Sequence, residues 1–141
     1  MFLLFGEYKI FRPGFASGGI QYWLSQFTPF PFYQPFLAHV VSPHPVFWAH
    51  VVGFGELAIG LSLVSGWLVR AASVGGLIEM LNLLAATGMA PGAHADLWKY
   101  FGANLEHICP ALLFVIFFFS RAGETWGVDG WLAERKRTRK R

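Results

Sequence analysis

Residues 46–89 read VFWAHVVGFGELAIGLSLVSGWLVRAASVGGLIEMLNLLAATGM. They form two apolar segments, residues 46–69 and 71–89, which are separated only by Arg70. A helix needs roughly 20 apolar residues to cross the hydrocarbon core of a bilayer, so each segment is long enough to span a membrane. Because the link at residues 67–70 is so short, we expect the two helices to be antiparallel neighbours.

Each segment carries one acidic residue near its middle, Glu56 in the first and Glu79 in the second. A lone carboxyl at membrane depth costs about 2.5–3.5 kcal/mol, so each should face protein rather than lipid. Counted from the link, the two acids lie within roughly 3 Å of the same depth. Two adjacent carboxyls in a low dielectric are expected to share a proton, and Lys9 could keep the other charge in place. The alternative is that each acid is only a hydrogen-bonded packing group.

Small and polar residues share one face of each segment. They are Ala49, Gly53, Glu56 and Gly60 in the first, and Ala72, Gly75, Glu79, Asn82 and Ala86 in the second. Steps of three and four residues place the members of each set on one helical face. The remaining positions are mostly large and apolar. This pattern is typical of membrane helices, where small residues allow close approach and lipid lies outside.

The composition excludes several classes of protein. The chain has 141 residues, of which 55 % are hydrophobic and 13 % charged, whereas soluble domains are about 25 % charged. Residues 135–141 hold six of the eleven basic residues, and beside membrane spans such a run is typical of a cytoplasmic end that contacts anionic lipid. We expect a lipid bilayer, not nucleic acid, as its partner. The single cysteine, Cys109, excludes a cysteine-pair relay and leaves zinc and iron–sulfur sites without their thiolates, so no metal site is predicted.

The other segments complete an all-α, polytopic membrane four-helix bundle, which we treat as a single domain. Residues 1–10 resemble the end of a first helix that is truncated at its start. Residues 11–45 are rich in aromatic residues and proline, which predicts an interfacial cap on the external side. Residues 101–120 predict a third full span. Residues 121–141 predict an amphipathic piece followed by the basic tail.

Basic residues near the ends of the spans predict the topology. Arg70, Arg121 and the basic tail fall on one side, which is therefore assigned to the cytoplasm. The aromatic segment and a loop at residues 90–100 fall on the external side. The protein is thus expected to be multi-pass with a cytoplasmic C-terminus.

Further polar residues lie within the third predicted span and near the start of the first. Asn104, Glu106 and His107 open the third span, and Pro110 should kink it or free a carbonyl near Glu106. His50 lies at a depth similar to that of His107, and two facing histidines can ligate haem iron. His50 is roughly 90° away from the small-residue face of its helix, which argues against haem.

With these residues located, the chain resembles the DoxX family of small bacterial membrane proteins, which includes DoxD-type quinone-linked subunits. The resemblance is carried by the following residues: Gly6 and Lys9; Gly55-Glu56-Leu57 and Gly60; Gly66-Trp67-Leu68; and Gly123, Gly127, Asp129 and Leu132. It implies a four-helix bundle in the bacterial cytoplasmic membrane. It also implies a link to thiosulfate:quinone oxidoreduction, or to complexes that join redox enzymes to the membrane.

The leading functional hypothesis is a quinone-linked subunit of an oxidoreductase. Quinone chemistry moves protons together with electrons, so its site needs buried acid–base groups. The candidate catalytic residues are Glu56, Glu79, His107 and Glu106, and the candidate cofactor-binding residues are Lys9, Asn82, Asn104 and His50. Such a subunit implies a redox protein partner or a second copy of the chain. The alternatives are a non-catalytic anchor for soluble redox partners and, third, a transporter of small solutes or protons.

Overall fold

The computed structural model describes residues 1–12, 14–88 and 101–139, which are predominantly helical. In chain order the α-helices are α1 (Phe2–Phe11), α2 (Ile20–Ser25), α3 (Gln34–Phe36), α4 (Pro45–Ser65), α5 (Val69–Thr87), α6 (Leu105–Ser120), α7 (Ala122–Trp126) and α8 (Val128–Thr138). Two π-helical turns, Phe15–Gly19 and Leu37–Val41, lie between α1 and α4. Extended structure in the described residues is limited to an isolated bridge between Thr28 and Gly88. The all-α prediction is therefore confirmed for this part of the chain.

Two of the described helices are long and apolar enough to cross a membrane. These are α4, with 21 residues, and α5, with 19 residues. The third predicted span is interrupted near its start, because residues 101–103 are helical and a turn at Asn104 separates them from α6, which has 16 residues. The backbone turns at Asn104, whose side-chain Oδ1 accepts a hydrogen bond of 2.8 Å from Thr87 at the end of α5. The predicted loop at residues 90–100 lies outside the described residues.

The turn between α4 and α5 comes earlier than the sequence predicted. α4 ends at Ser65 because Gly66 adopts a left-handed conformation with φ of 69°, and its N–H donates to the Ser62 carbonyl at 2.9 Å. Glycine is the usual residue in this conformation because it has no Cβ. α5 then begins at Val69, so Arg70 lies in its first turn and not in the link.

The α1 and α4 helices approach closely through glycine. A Cβ atom at Gly6 would lie 2.6 Å from the Leu57 backbone nitrogen, and one at Gly60 would lie 2.8 Å from the Leu3 nitrogen. The predicted small-residue face of α4 is confirmed, since Ala49, Gly53, Glu56 and Gly60 are all buried. Close backbone approach over small residues is the contact that membrane helices favour.

The predicted face of α5 is wrong in its middle. Ala86 is buried as predicted, but Gly75 and Asn82 are exposed, and the buried positions of this helix include Ser73, Gly76 and Met80. The reason is the neighbour that packs here: a Cβ atom at Gly76 would lie 2.2 Å from the Phe114 ring of α6. This contact turns Glu79 to the edge of the buried face.

One hydrophobic core joins the helices α1, α4, α5 and α6. It contains Phe2 of α1, Ile59 of α4, Met80 of α5, and Ala111 and Phe114 of α6. The rings of Phe2 and Phe114 meet edge to face with centroids 5.3 Å apart, a favourable aromatic geometry. The first and last of these helices therefore also contact each other.

The aromatic segment between α1 and α4 packs on the start of α4 and the end of α5. Ile20 and Val41 are buried together with Ala49, which lies in the second turn of α4. The N–H of Phe30 donates to the Ala85 carbonyl near the end of α5 at 3.1 Å. The segment thus covers one end of this helix pair, and its place at a membrane interface stays a prediction.

Candidate functional site

An ion pair joins the last turn of α1 to the middle of α4. Lys9 Nζ lies 2.5 Å from Glu56 Oε1, and both side chains are largely shielded, with 16 % and 4 % of their surface exposed. Gly53 lies on the same face of α4 one turn before Glu56. A Cβ atom at Gly53 would lie 3.0 Å from the Lys9 Cβ, so the absence of a side chain there leaves room for the lysine stem.

The Glu79 carboxyl of α5 lies beside this pair. It is within side-chain hydrogen-bonding range of the Glu56 carboxyl and within electrostatic range of Lys9. Glu56 and Glu79 therefore meet in the structure, as their equal depth in the sequence predicted. Three helices, α1, α4 and α5, each contribute one ionisable side chain to this carboxyl cluster, which we define as Lys9, Glu56 and Glu79.

Two carboxyl oxygens of the cluster lack a hydrogen-bond donor, and one added proton would supply it. Glu56 Oε2 and Glu79 Oε1 are buried and have no hydrogen-bond donor in the structure. Two carboxylates cannot donate to each other, but a protonated carboxyl donates one O–H to an ionised neighbour. With one lysine and one shared proton, the cluster would be electrically neutral. Its chemical capacity is to accept or release a single proton at this place.

Glu79 is the less buried of the two carboxyl residues in the cluster. Its residue is partly exposed although its Oε1 atom is buried, whereas Glu56 is 3 % exposed. The neighbouring positions on the α5 surface, Gly75, Ile78 and Asn82, are all exposed. The cluster therefore has an inner carboxyl, held by the lysine, and an outer carboxyl at the edge of an apolar helix surface.

His107 lies near the cluster, and Glu106 does not. The His107 residue is 8 % exposed, and its imidazole is within electrostatic range of Lys9. Its Nδ1 atom has no hydrogen-bond partner and lies 3.6 Å from Glu106 Oε1. The Glu106 side chain is 73 % exposed, and the contact that links this predicted catalytic residue to the site is the one with the His107 imidazole.

The predicted cofactor-binding residues other than Lys9 have separate partners. Asn82 Oδ1 accepts a hydrogen bond from the Tyr33 hydroxyl, and its Nδ2 donates to the Ile78 carbonyl. His50 Nδ1 lies 2.7 Å from the Val46 carbonyl, and its ring stacks on Phe54. Asn104 is tied to Thr87. Of these three residues, Asn82 is on the surface that also carries Glu79.

Tyr33 and Thr87 are the polar partners that the sequence did not reveal. Tyr33 belongs to the segment that the sequence predicts to be an interfacial cap, yet its hydroxyl reaches α5 across 49 positions of sequence. Burial raises the pKa of the Tyr33 hydroxyl, which favours its neutral, donating form. Thr87 lies at the end of an apolar helix, and only the turn at Asn104 brings its partner close. Neither pairing leaves a periodic signal in the sequence.

Comparison with known families gives one match. The model of the DoxX family matches residues 1–89, which is more than half of the chain and includes all three members of the carboxyl cluster. Gly123, Gly127, Asp129 and Leu132, on which the resemblance also rested, lie beyond the matched region. No curated protein and no solved structure gives a significant match.

Proposed function

We propose that this protein, which belongs to the DoxX family, is a quinone-linked subunit of a membrane oxidoreductase. In this proposal α1, α4, α5 and α6 form a four-helix bundle in the bacterial cytoplasmic membrane, with the aromatic segment as its external cap. The observation that carries the proposal is the carboxyl cluster. It brings two carboxyls and a lysine together beside the middle of α4 and α5, the two described helices that are long enough to cross a membrane, and the Glu79 residue is partly exposed.

Proton exchange is what a quinone site must supply. Oxidation of a quinol to a quinone releases two electrons and two protons, and reduction takes up the same number. The electrons would pass to or from a redox protein partner. Glu79, as the outer carboxyl, would exchange one proton with a ring hydroxyl and share it with Glu56. Lys9 would hold Glu56 in its ionised form, and His107 is the candidate for the second proton.

The position of Glu79 favours a lipid-soluble substrate over a water-soluble one. Its exposed neighbours Gly75 and Ile78 lie on α5 between positions of large apolar residues, a surface suited to lipid. A quinone that diffuses in the bilayer can approach such an edge directly. Asn82, one turn further along the same surface, donates one Nδ2 hydrogen to the Ile78 carbonyl, and its second Nδ2 hydrogen would be the donor to a ring carbonyl.

A second candidate function is a non-catalytic anchor for soluble redox enzymes. The ion pair between Lys9 and Glu56 favours it, because a buried pair between two helices can have a purely structural role, in which it holds the helices together. In that case Glu79 would be a packing group and would exchange no proton with a ligand. The two functions therefore differ in what the Glu79→Gln variant does to ligand content.

The deciding experiment is the quinone content of the full chain purified from membranes in mild detergent. Solvent extraction and mass spectrometry should find about one isoprenoid quinone per chain in the wild type. Glu79→Gln should lose most of it. The matched control is Glu7→Gln, which removes an exposed carboxyl of α1 and should retain the quinone. A wild type free of quinone, or equal content in all three proteins, would support the anchor. A visible spectrum of the same samples tests for haem.

A further inference from the structure

The last helix of the described chain is attached to the bundle only at its beginning. The N–H groups of Leu68 and Val69 donate to the Asp129 carboxylate at 3.0 and 3.2 Å, and the Asp129 N–H donates to the Gly66 carbonyl at 3.0 Å. A Cβ atom at Gly127 would lie 2.6 Å from the Gly66 Cα. These contacts fix the start of α8 against the turn between α4 and α5.

Beyond this attachment α8 is uncovered. It has no buried residue. Val128, Trp131 and Leu132 are exposed by 38 %, 51 % and 36 %, and their spacing of three and four residues places them on one face. An isolated helix of this length is marginal in water, so an apolar face of this kind calls for a covering surface.

The basic residues of α8 lie mostly on the same side of the helix as its apolar residues. At 100° per residue, Arg135 and Arg139 lie within about 20° of the direction of Val128, and Lys136 within about 80°. The acidic Glu134 points about 120° away. The Arg135 guanidinium lies 3.9 Å from the centre of the Trp131 ring, so the cation and the apolar face form one continuous patch.

We infer that this patch, formed by Val128, Trp131, Leu132, Arg135, Lys136 and Arg139, binds the headgroups of anionic phospholipids. Apolar residues that are followed by basic residues along the same side of a helix allow the apolar part to enter the membrane interface while the cations contact anionic headgroups. The attachment at Gly66 supports this, because it places the patch at the end of two helices that are long enough to cross the membrane. An open cleft of about 190 Å³ borders the attachment, and Leu63 and Phe117 contribute apolar side chains to its lining.

The inference does not depend on the carboxyl cluster, and its test uses the intact chain in detergent. Native mass spectrometry would measure the binding of phosphatidylglycerol and of phosphatidylcholine. The two variants are Arg135→Gln, within the patch, and Arg137→Gln, on the opposite face of the same helix. One basic residue near an anionic surface contributes about 1 kcal/mol, which is about a five-fold change in affinity.

The expected result is tighter binding of phosphatidylglycerol than of phosphatidylcholine by the wild type. Arg135→Gln should weaken phosphatidylglycerol binding about five-fold, while Arg137→Gln should change it by less than about two-fold. Inorganic phosphate should fail to displace the lipid, because it makes no contact with Trp131. Equal effects of the two variants, equal binding of the two lipids, or displacement by inorganic phosphate would overturn the inference. So would a polyglutamate peptide that binds more tightly than phosphatidylglycerol, since that would make an acidic protein the partner.

Discussion

Lys9 and Glu56 are 47 positions apart in the sequence, and their side chains form a nearly buried ion pair with Nζ and Oε1 2.5 Å apart. The pair joins α1 to α4 at the level where Glu79 approaches from α5. It therefore belongs both to the packing of the helices and to the charge balance of the carboxyl cluster. These two roles can be separated by measuring stability and protonation in the same variants.

Replacement of Lys9 by methionine should destabilise the protein by about 3–5 kcal/mol, because burial of the Glu56 carboxyl without its counter-ion costs free energy, and uptake of a proton recovers only part of that cost. The free energy of unfolding would be measured in mixed detergent micelles from the loss of helical circular dichroism. The double variant Lys9→Met with Glu56→Gln should recover part of the loss, since no buried charge remains unpaired. Arg12→Met is the control, because Arg12 is an exposed cation near the same helix end. Equal stability of the Lys9 and Arg12 variants would contradict the prediction.

Two glycines of α4 should respond in opposite ways to alanine. Gly60→Ala should lower the free energy of unfolding by about 1–3 kcal/mol, because its Cβ atom would lie 2.8 Å from the Leu3 backbone nitrogen. Gly55 has no atom within 4 Å of its Cβ position. Gly55→Ala should therefore leave stability unchanged or raise it by up to about 1 kcal/mol, through helix propensity. The same unfolding measurement checks both, and a Gly60 variant as stable as the Gly55 variant would refute the close packing of α1 on α4.

The sequence predicted the α4 face and the meeting of the two acids for a simple physical reason. Small residues at helical spacing around Glu56 leave one direction in which another backbone can approach. Equal distances of Glu56 and Glu79 from a short link then place them at one depth. Neither inference requires knowledge of the remaining helices.

The face of α5 could not be predicted in the same way. Gly75 and Gly76 are adjacent, and the sequence alone does not show which of them meets a neighbour. The Phe114 ring decides between them, since it packs against Gly76 and leaves Gly75 exposed. The break at Asn104 is of the same kind, because its hydrogen bond to Thr87 depends on how α6 is placed against α5.

Stability should depend on alkaline pH through Tyr33. Burial raises the pKa of this hydroxyl above the ordinary tyrosine value, so the unfolded chain loses the proton first. The contribution of Tyr33 to the free energy of unfolding is therefore complete at neutral pH and falls as the pH rises above that ordinary value. Loss of the O–H also removes the donor to Asn82.

The measurement is the melting temperature of the wild type and of Tyr33→Phe at neutral pH and at about pH 11. The wild type should be the more stable of the two at neutral pH, and its advantage should shrink at the higher value. Tyr22→Phe is the control, because Tyr22 is 70 % exposed. A stability difference between wild type and Tyr33→Phe that does not change with pH would rule out this coupling.

The carboxyl cluster should hold one protonated carboxyl at neutral pH. One lysine balances the charge of one carboxylate. The two buried oxygens that lack a hydrogen-bond donor, Glu56 Oε2 and Glu79 Oε1, can form a hydrogen bond with each other if one of them carries a proton. Infrared difference spectroscopy in membranes should therefore show the C=O stretch of a neutral carboxyl.

Either Glu56→Gln or Glu79→Gln should abolish this band, because the remaining carboxylate then pairs with Lys9. Lys9→Met should instead strengthen it, since both carboxyls lose their counter-ion and become neutral. Glu7→Gln should leave the band unchanged. A spectrum without this band, or a band that survives both glutamine substitutions, would mean that the two acids do not share a proton, and the proposed quinone site would lose the chemistry on which it rests.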